Sequence, residues 1–181
     1  MSSPQIILHI SVCTTPFGHW SFELVSGVTD FAYKGVALNT KYFCFFGCLN
    51  TKSALQNYKV LLANGTQAKS APVERTLYVD EMKAKIGSGK DDQSEFCPDP
   101  YIENIVMNGI QQAPINNATS IANTILLRMN RGPGWAVVVV QLADGGAVVN
   151  SVYPDWNFCD YSAIRNNVDF YNVKVAKIDM S

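Results

Sequence analysis

The chain has 181 residues, 48% of them apolar and 16% charged, with a formal net charge of −1. That length and apolar share support one domain with a sizeable core, with Gly109 to Asn117 as the one stretch that could divide it into lobes over 1–110 and 115–181. Near-neutral charge without a Lys/Arg cluster excludes a general attraction to nucleic acid or anionic membranes, and no apolar run approaches the roughly 20 residues of a membrane-crossing helix.

Gln5 to Val12 is apolar and β-branched and reads as a strand. Thr14 to Gly18 is a turn by composition. From His19 the pattern alternates, with Trp20, Phe22 and Leu24 on one face and Ser21, Glu23 and Val25 on the other, which is a strand of period two. Phe31 to Leu38 and Lys41 to Phe46 extend this into a small antiparallel meander. Thr51 caps an expected helix with Ala54, Leu55, Tyr58, Leu61 and Leu62 at helical spacing, ended by Asn64-Gly65. Arg75 to Val79 fits another strand.

Gly87 to Ser94 is a surface loop. Its Gly87-Ser88-Gly89-Lys90 lacks the spacing and the flanking strand and helix of a phosphate-binding loop. A helix is expected from Cys97 or Asp99 to about Gly109, with Pro100 in its first turn. Another runs from about Asn117 and carries Ile121, Ile125, Leu126 and Met129 on one face. Trp135 to Leu142 is an apolar strand whose Val137 to Val140 run predicts burial on both faces. Asp144-Gly145-Gly146 predicts a hairpin into a second strand, Ala147 to Tyr153. The piece from Cys159 to Asn167 reads as irregular or briefly helical, and Asp169 to Ile178 as the last strand. The balance is α+β, a mainly antiparallel sheet with about three helices.

Two histidines and five cysteines carry the candidate chemistry. A thiol at a helix N-terminus feels the positive end of the helix dipole, which favours thiolate. Cys97 stands just before such a start. His19 opens a strand, where a side chain can face a cleft. If the two meet, the imidazole can take the thiol proton and the sulfur can attack an acyl carbon, with helix-start N–H groups holding the oxyanion. Asp30, Tyr33 and Asn39 are candidates for the polar group that orients the ring. Cys159, in Asn157-Phe158-Cys159-Asp160-Tyr161, is the second candidate nucleophile. Cys13, Cys44 and Cys159 also fit buried structural thiols, and an odd cysteine count leaves at least one unpaired within the chain. His9 reads as a core or edge histidine within the first strand. Zinc-ligand spacing is absent, and no metal or cofactor is expected.

Gly18-His19-Trp20 at the head of an alternating strand, followed downstream by Cys97 at a helix start, resembles the circularly permuted papain-like proteins of the lecithin:retinol-acyltransferase type. The resemblance covers residues 1–110. It implies His19 as base, Cys97 as nucleophile and an amide or ester as acyl substrate. Glu95-Phe96 before the cysteine and Pro98-Asp99-Pro100 after it depart from that pattern, and Asp99 opposes ionisation of a nearby thiol by like-charge repulsion.

The helix and β-rich run over Asn117 to Ile178 is similar in pattern to dynein light chains, without a diagnostic motif. It keeps a second class open, a non-enzymatic binding or self-assembling protein. In that class the terminal strands, Gln5 to Val12 and Asp169 to Ile178, are expected to serve as sheet edges for a protein partner or a homo-oligomer. Met1-Ser2-Ser3-Pro4 lacks the basic start of a secretory signal, so a cytoplasmic location is expected ahead of a secreted one. The sequons Asn64-Gly65-Thr66 and Asn117-Ala118-Thr119 matter only in a secreted chain.

Overall fold

The computed structural model describes residues 6–14, 19–35, 46–50, 73–87, 93–130, 135–152 and 156–177. Eight strands and three helices lie among them. They are β1 (Ile6–Thr14), β2 (His19–Gly35), β3 (Phe46–Asn50), β4 (Val73–Tyr78), α1 (Val79–Gly87), β5 (Gln93–Phe96), α2 (Pro100–Gln112), α3 (Ala118–Arg128), β6 (Trp135–Val152), β7 (Phe158–Arg165) and β8 (Asp169–Lys177). The strand order is β3-β1-β2-β6-β8-β7-β5, and β4 pairs separately with β6. Every pairing is antiparallel. This is the expected α+β class.

The long strand β6 organises the sheet. Its first half, Trp135 to Leu142, pairs with β8, and its second half, Ala147 to Val152, pairs with β4. Along its other side both halves pair with β2. The expected hairpin at Asp144-Gly145-Gly146 is therefore absent. The extra residues are absorbed as an irregularity opposite Gly27, where the register slips between Ser26 and Val28. Gly27 sits at φ +74°, and a Cβ there would lie 3.0 Å from the Gly146 Cα. Two backbones pass too closely for a side chain, and the left-handed conformation suits glycine. The separate strands expected from His19 and from Phe31 are likewise one strand, β2.

Alternation along β6 gives each face of its first half to a different core. Trp135, Val137 and Val139 pack with α2 and α3, through Ile102, Ile105, Val106, Ile110, Ile121 and Ile125. Ala136, Val138, Val140 and Leu142 pack on the opposite face with Val79 and Met82 of α1 and with Phe158 and Phe170. The Val137 to Val140 run is buried on both sides, as its composition predicts. Asp80 and Lys83 of α1 reach the β6 irregularity, where Gly145 N–H donates to Asp80 and Lys83 pairs with Asp144.

The expected helix from Asp99 is borne out as α2. The Asp99 carboxylate caps it by accepting from Tyr101 N–H at 2.9 Å, and Pro100 follows. Asn117 caps α3 by accepting from Ser120 N–H at 2.7 Å. Residues 158–165 form a strand instead of the expected irregular segment, because Phe158 to Ile164 are buried on both faces between β5 and β8. The helix expected after Thr51 lies outside the described residues, as do residues 41–45 of the expected Lys41 strand. Helix α1 and strand β5 were not expected.

Helices α2 and α3 pack closely at Gly109, where a Cβ would fall 2.3 Å from Ile125 Cγ1. Gly109→Ala gains about 1 kcal/mol of helix propensity but overfills the contact at a cost of roughly 1–3 kcal/mol. Chemical denaturation is expected to show net destabilisation. Adding Ile125→Ala should cost less in the Gly109→Ala background than alone, a coupling visible in a double-mutant cycle.

Candidate functional site

Cys97 lies between β5 and the start of α2, and Cys159 is the second residue of β7. Their sulfurs are bonded to each other at 1.98 Å, with Cα atoms 4.1 Å apart. Pairing between β5 and β7, with Phe96 opposite Asp160, brings the two backbones side by side. Cys159 is fully buried in the core beneath α2 and α3, and Cys97 packs against the same core. In this bonded state Cys97 has no thiol proton for an imidazole to remove, and Cys159 is not a free thiol. The two candidate nucleophiles are partners in one bond.

His19 is the first residue of β2, paired with Thr14. Following the ladder from Cys159 leads to Val175 on β8, then Val137 on β6, then Lys34 on β2. Lys34 is near the opposite end of that strand from His19, and β6 and β8 stand between β2 and β7. Strand pairing therefore does not bring His19 to Cys97.

Asp30, a candidate for orienting the ring, is engaged elsewhere. Its carboxylate accepts from Phe31 N–H at 2.8 Å and from Ala118 N–H at 2.7 Å, which fastens the first turn of α3 to β2. Tyr33 lies on the same strand, and Asn39 falls outside the described residues. His9 lies on β1, Cys13 is also on β1, and Cys44 is outside the described residues.

Sequence reasoning missed a buried polar group on the sheet face turned away from α2 and α3. It comprises Asp160 and Ser162 of β7 with Asn172 and Lys174 of β8, all 2% exposed or less. Asp160 pairs with Lys174 across the ladder, and Ser162 with Asn172. Lys174 Nζ donates to Asn172 Oδ1 at 2.8 Å and to Asp160 Oδ1 at 3.2 Å. Asn172 Nδ2 donates to Asp160 Oδ1 at 2.8 Å and to Ser162 Oγ at 2.9 Å. Alternate polar residues on two neighbouring strands are the usual mark of a solvent face. The signal was present, but only the fold shows that the face is covered. The group is a buried ion pair with hydrogen bonds across the ladder, an arrangement that fixes the register of β7 on β8.

A second polar cluster joins the α2–α3 connection to the sheet. Asn116 Nδ2 donates to Asp169 at 2.6 Å, Tyr171 Oη donates to Asn116 Oδ1 at 3.0 Å, and Gln141 donates to Asp169 at 2.8 Å. Arg165 donates to the Ala113 carbonyl at 2.6 Å. Burial, with the Asp169 and Asp30 carboxylates near it, pushes the Tyr171 phenol up from 10.0 to about 12, against the opposing effect of Arg165. Among the described residues no group of His, Cys, Asp and Glu has the arrangement of a metal site, and no helix is long and apolar enough to cross a membrane.

Residues 14–181 match the model of a family of unknown function, DUF5352. The chain belongs to DUF5352. The match takes in all of β2, both bonded cysteines and the buried Asp160–Lys174 pair, and begins after His9 and Cys13. No curated protein and no solved structure matches the chain.

Two predictions follow from these clusters. A tyrosine whose folded pKa is raised favours the neutral phenol, so its contribution is present below pH 10 and lost as pH rises towards 12. That loss amounts to roughly 2–3 kcal/mol. Denaturation of Tyr171→Phe should show a flatter alkaline limb than wild type, with about 1 kcal/mol lost near neutrality from the missing hydrogen bond. Separately, Lys174→Met removes one partner of a buried ion pair and should cost about 3–5 kcal/mol, while adding Asp160→Leu should restore part of that stability.

Proposed function

We propose that the protein is a non-enzymatic binding protein of an oxidising compartment, with the Cys97–Cys159 bond as a structural staple. The bond itself is the observation that carries this reading. Disulfides persist where thiols are not continuously reduced, in secreted proteins and comparable environments. This reverses the cytoplasmic expectation. A hydrolase or acyltransferase mechanism through Cys97 would need a thiolate, and in the bonded state that sulfur has none.

The manner of binding also differs from the sheet-edge expectation. β1 sits between β3 and β2, and β8 between β6 and β7, so both terminal strands are interior. Val173 is fully buried and offers nothing to a partner. Of the described strands, β3 and β5 end the order and β4 has one partner; they have five, four and six residues, and short edges discourage pairing with another chain. Two large exposed aromatics lie close in sequence to the bonded cysteines. Trp156, shortly before Cys159, is 61% exposed, and Tyr101, in the first turn of α2 after Cys97, is 44% exposed. Large aromatics of this kind supply much of the binding energy at protein interfaces. The bond between the cysteines joins the two segments that carry these aromatics.

The test is an assay of acyl-ester and acyl-amide hydrolysis on wild type and Cys97→Ser, each with and without reductant. Background rates are expected in all four samples. Turnover that appears with reductant and vanishes in Cys97→Ser would contradict the reading. Reduction should instead lower stability, because the bond closes a span of 62 residues. A chain-entropy treatment gives about 4 kcal/mol for such a loop. Urea denaturation with and without reductant measures it.

A further inference from the structure

The α2–α3 connection places two asparagines in succession and treats them differently. Asn116 uses both ends of its amide within the fold, donating to Asp169 and accepting from Tyr171. Asn117 uses only its oxygen, which caps α3 by accepting from Ser120 N–H. No described group accepts from its Nδ2, and that nitrogen is not among the buried unpartnered atoms. Asn117 is also the one of the pair that begins a sequon, Asn117-Ala118-Thr119, with no proline at the second position or directly after it. The surface around it is open. Pro114, Ile115 and Asn116 before it are exposed, Thr119 is exposed, and Ile115 presents 61% of its surface.

We propose that Asn117 is an N-glycan acceptor, a reading that rests on the oxidising, secretory location inferred above. The donor class is a lipid-pyrophosphate-linked oligosaccharide. A bond forms between Asn117 Nδ2 and the anomeric carbon of the reducing-end sugar. The bond from that carbon to the pyrophosphate oxygen breaks, the lipid pyrophosphate leaves, and Nδ2 gives up one proton. The product amide keeps its carbonyl oxygen. The cap to Ser120 N–H therefore survives modification, and the sugar takes a position where the fold asks nothing of the nitrogen. The same substitution at Asn116 would remove an N–H that now holds Asp169. The second sequon, at Asn64, lies outside the described residues. A glycan at Asn117 would stand beside exposed Ile115 and cover apolar surface at this end of the sheet.

The full chain, secreted from eukaryotic cells behind a cleavable signal, provides the test. Secreted material is treated with peptide-N-glycosidase in H₂¹⁸O, which converts a glycosylated asparagine to ¹⁸O-labelled aspartate, and is mapped by mass spectrometry. The label is expected at Asn117 in most molecules. Thr119→Ala, which leaves the cap untouched, should abolish it, and Thr119→Ser should retain it. A non-reducing digest of the same material reports the Cys97–Cys159 peptide pair. Secreted protein with the disulfide formed and Asn117 unlabelled overturns the glycan proposal and leaves the compartment reading standing. Labelled Asn117 with free Cys97 and Cys159 supports the glycan and overturns the disulfide on which the compartment reading was based.

Discussion

The bond between Cys97 and Cys159 ties the segment leading into α2 to the start of β7, beneath the core that α2 and α3 share with the sheet. Two consequences come from the same covalent fact. Mechanically, it removes freedom from the unfolded chain across the span that holds α2, α3 and β6, which stabilises the docking of both helices on one face. Chemically, it takes out of circulation the sulfur best placed by a helix dipole to ionise. A helix-start cysteine and a strand-start histidine are sufficient for a nucleophile only when they meet, and the sheet puts three strands between β2, which begins with His19, and β5, which leads into Cys97.

Much of the architecture was legible because it rests on local periodicity. The α2 cap at Asp99, the amphipathic faces of α2 and α3, the doubly buried Val137 to Val140 and the last strand were all written in residue type and spacing. What failed was punctuation. Asp144-Gly145-Gly146 is strong turn chemistry, yet the chain passes straight through it, because Gly27 opposite allows the backbones to approach closely and keeps β2 paired with both halves of β6. Turn residues favour a hairpin only where no long partner strand continues past them. Residues 158–165 failed for a related reason. Their Asp160 and Ser162 alternate with Cys159, Tyr161 and Ala163, but both sets are buried, so the pattern does not divide a wet face from a dry one.

The candidate site was legible residue by residue but not as a set. Cys97 and Cys159 were both singled out for their local surroundings, while the observation that joins them, the pairing of β5 with β7, depends on a short strand that carries no pattern of its own. The Asp160–Lys174 pair was hidden in another way. Polar residues at alternate positions normally mark the wet side of a strand, and only the packing of the whole fold shows this side to be covered. A buried ion pair is weak evidence for stability and better evidence for register, since a one-residue slip of β8 on β7 would bring Val173 or Val175 opposite Asp160 in place of Lys174.

The account therefore turns on the state of two sulfur atoms in the native protein. The direct measurement is differential alkylation. Protein isolated under acid quench, without reductant, is first blocked with one iodoacetamide isotope, then reduced and labelled with a second, and the Cys97 and Cys159 peptides are quantified by mass spectrometry. The account predicts that both peptides carry the second label almost exclusively, and that a non-reducing digest yields them as one linked species. First-label modification of Cys97 in most molecules would show a free thiol at the head of α2 and would contradict the structural, non-catalytic role assigned to it.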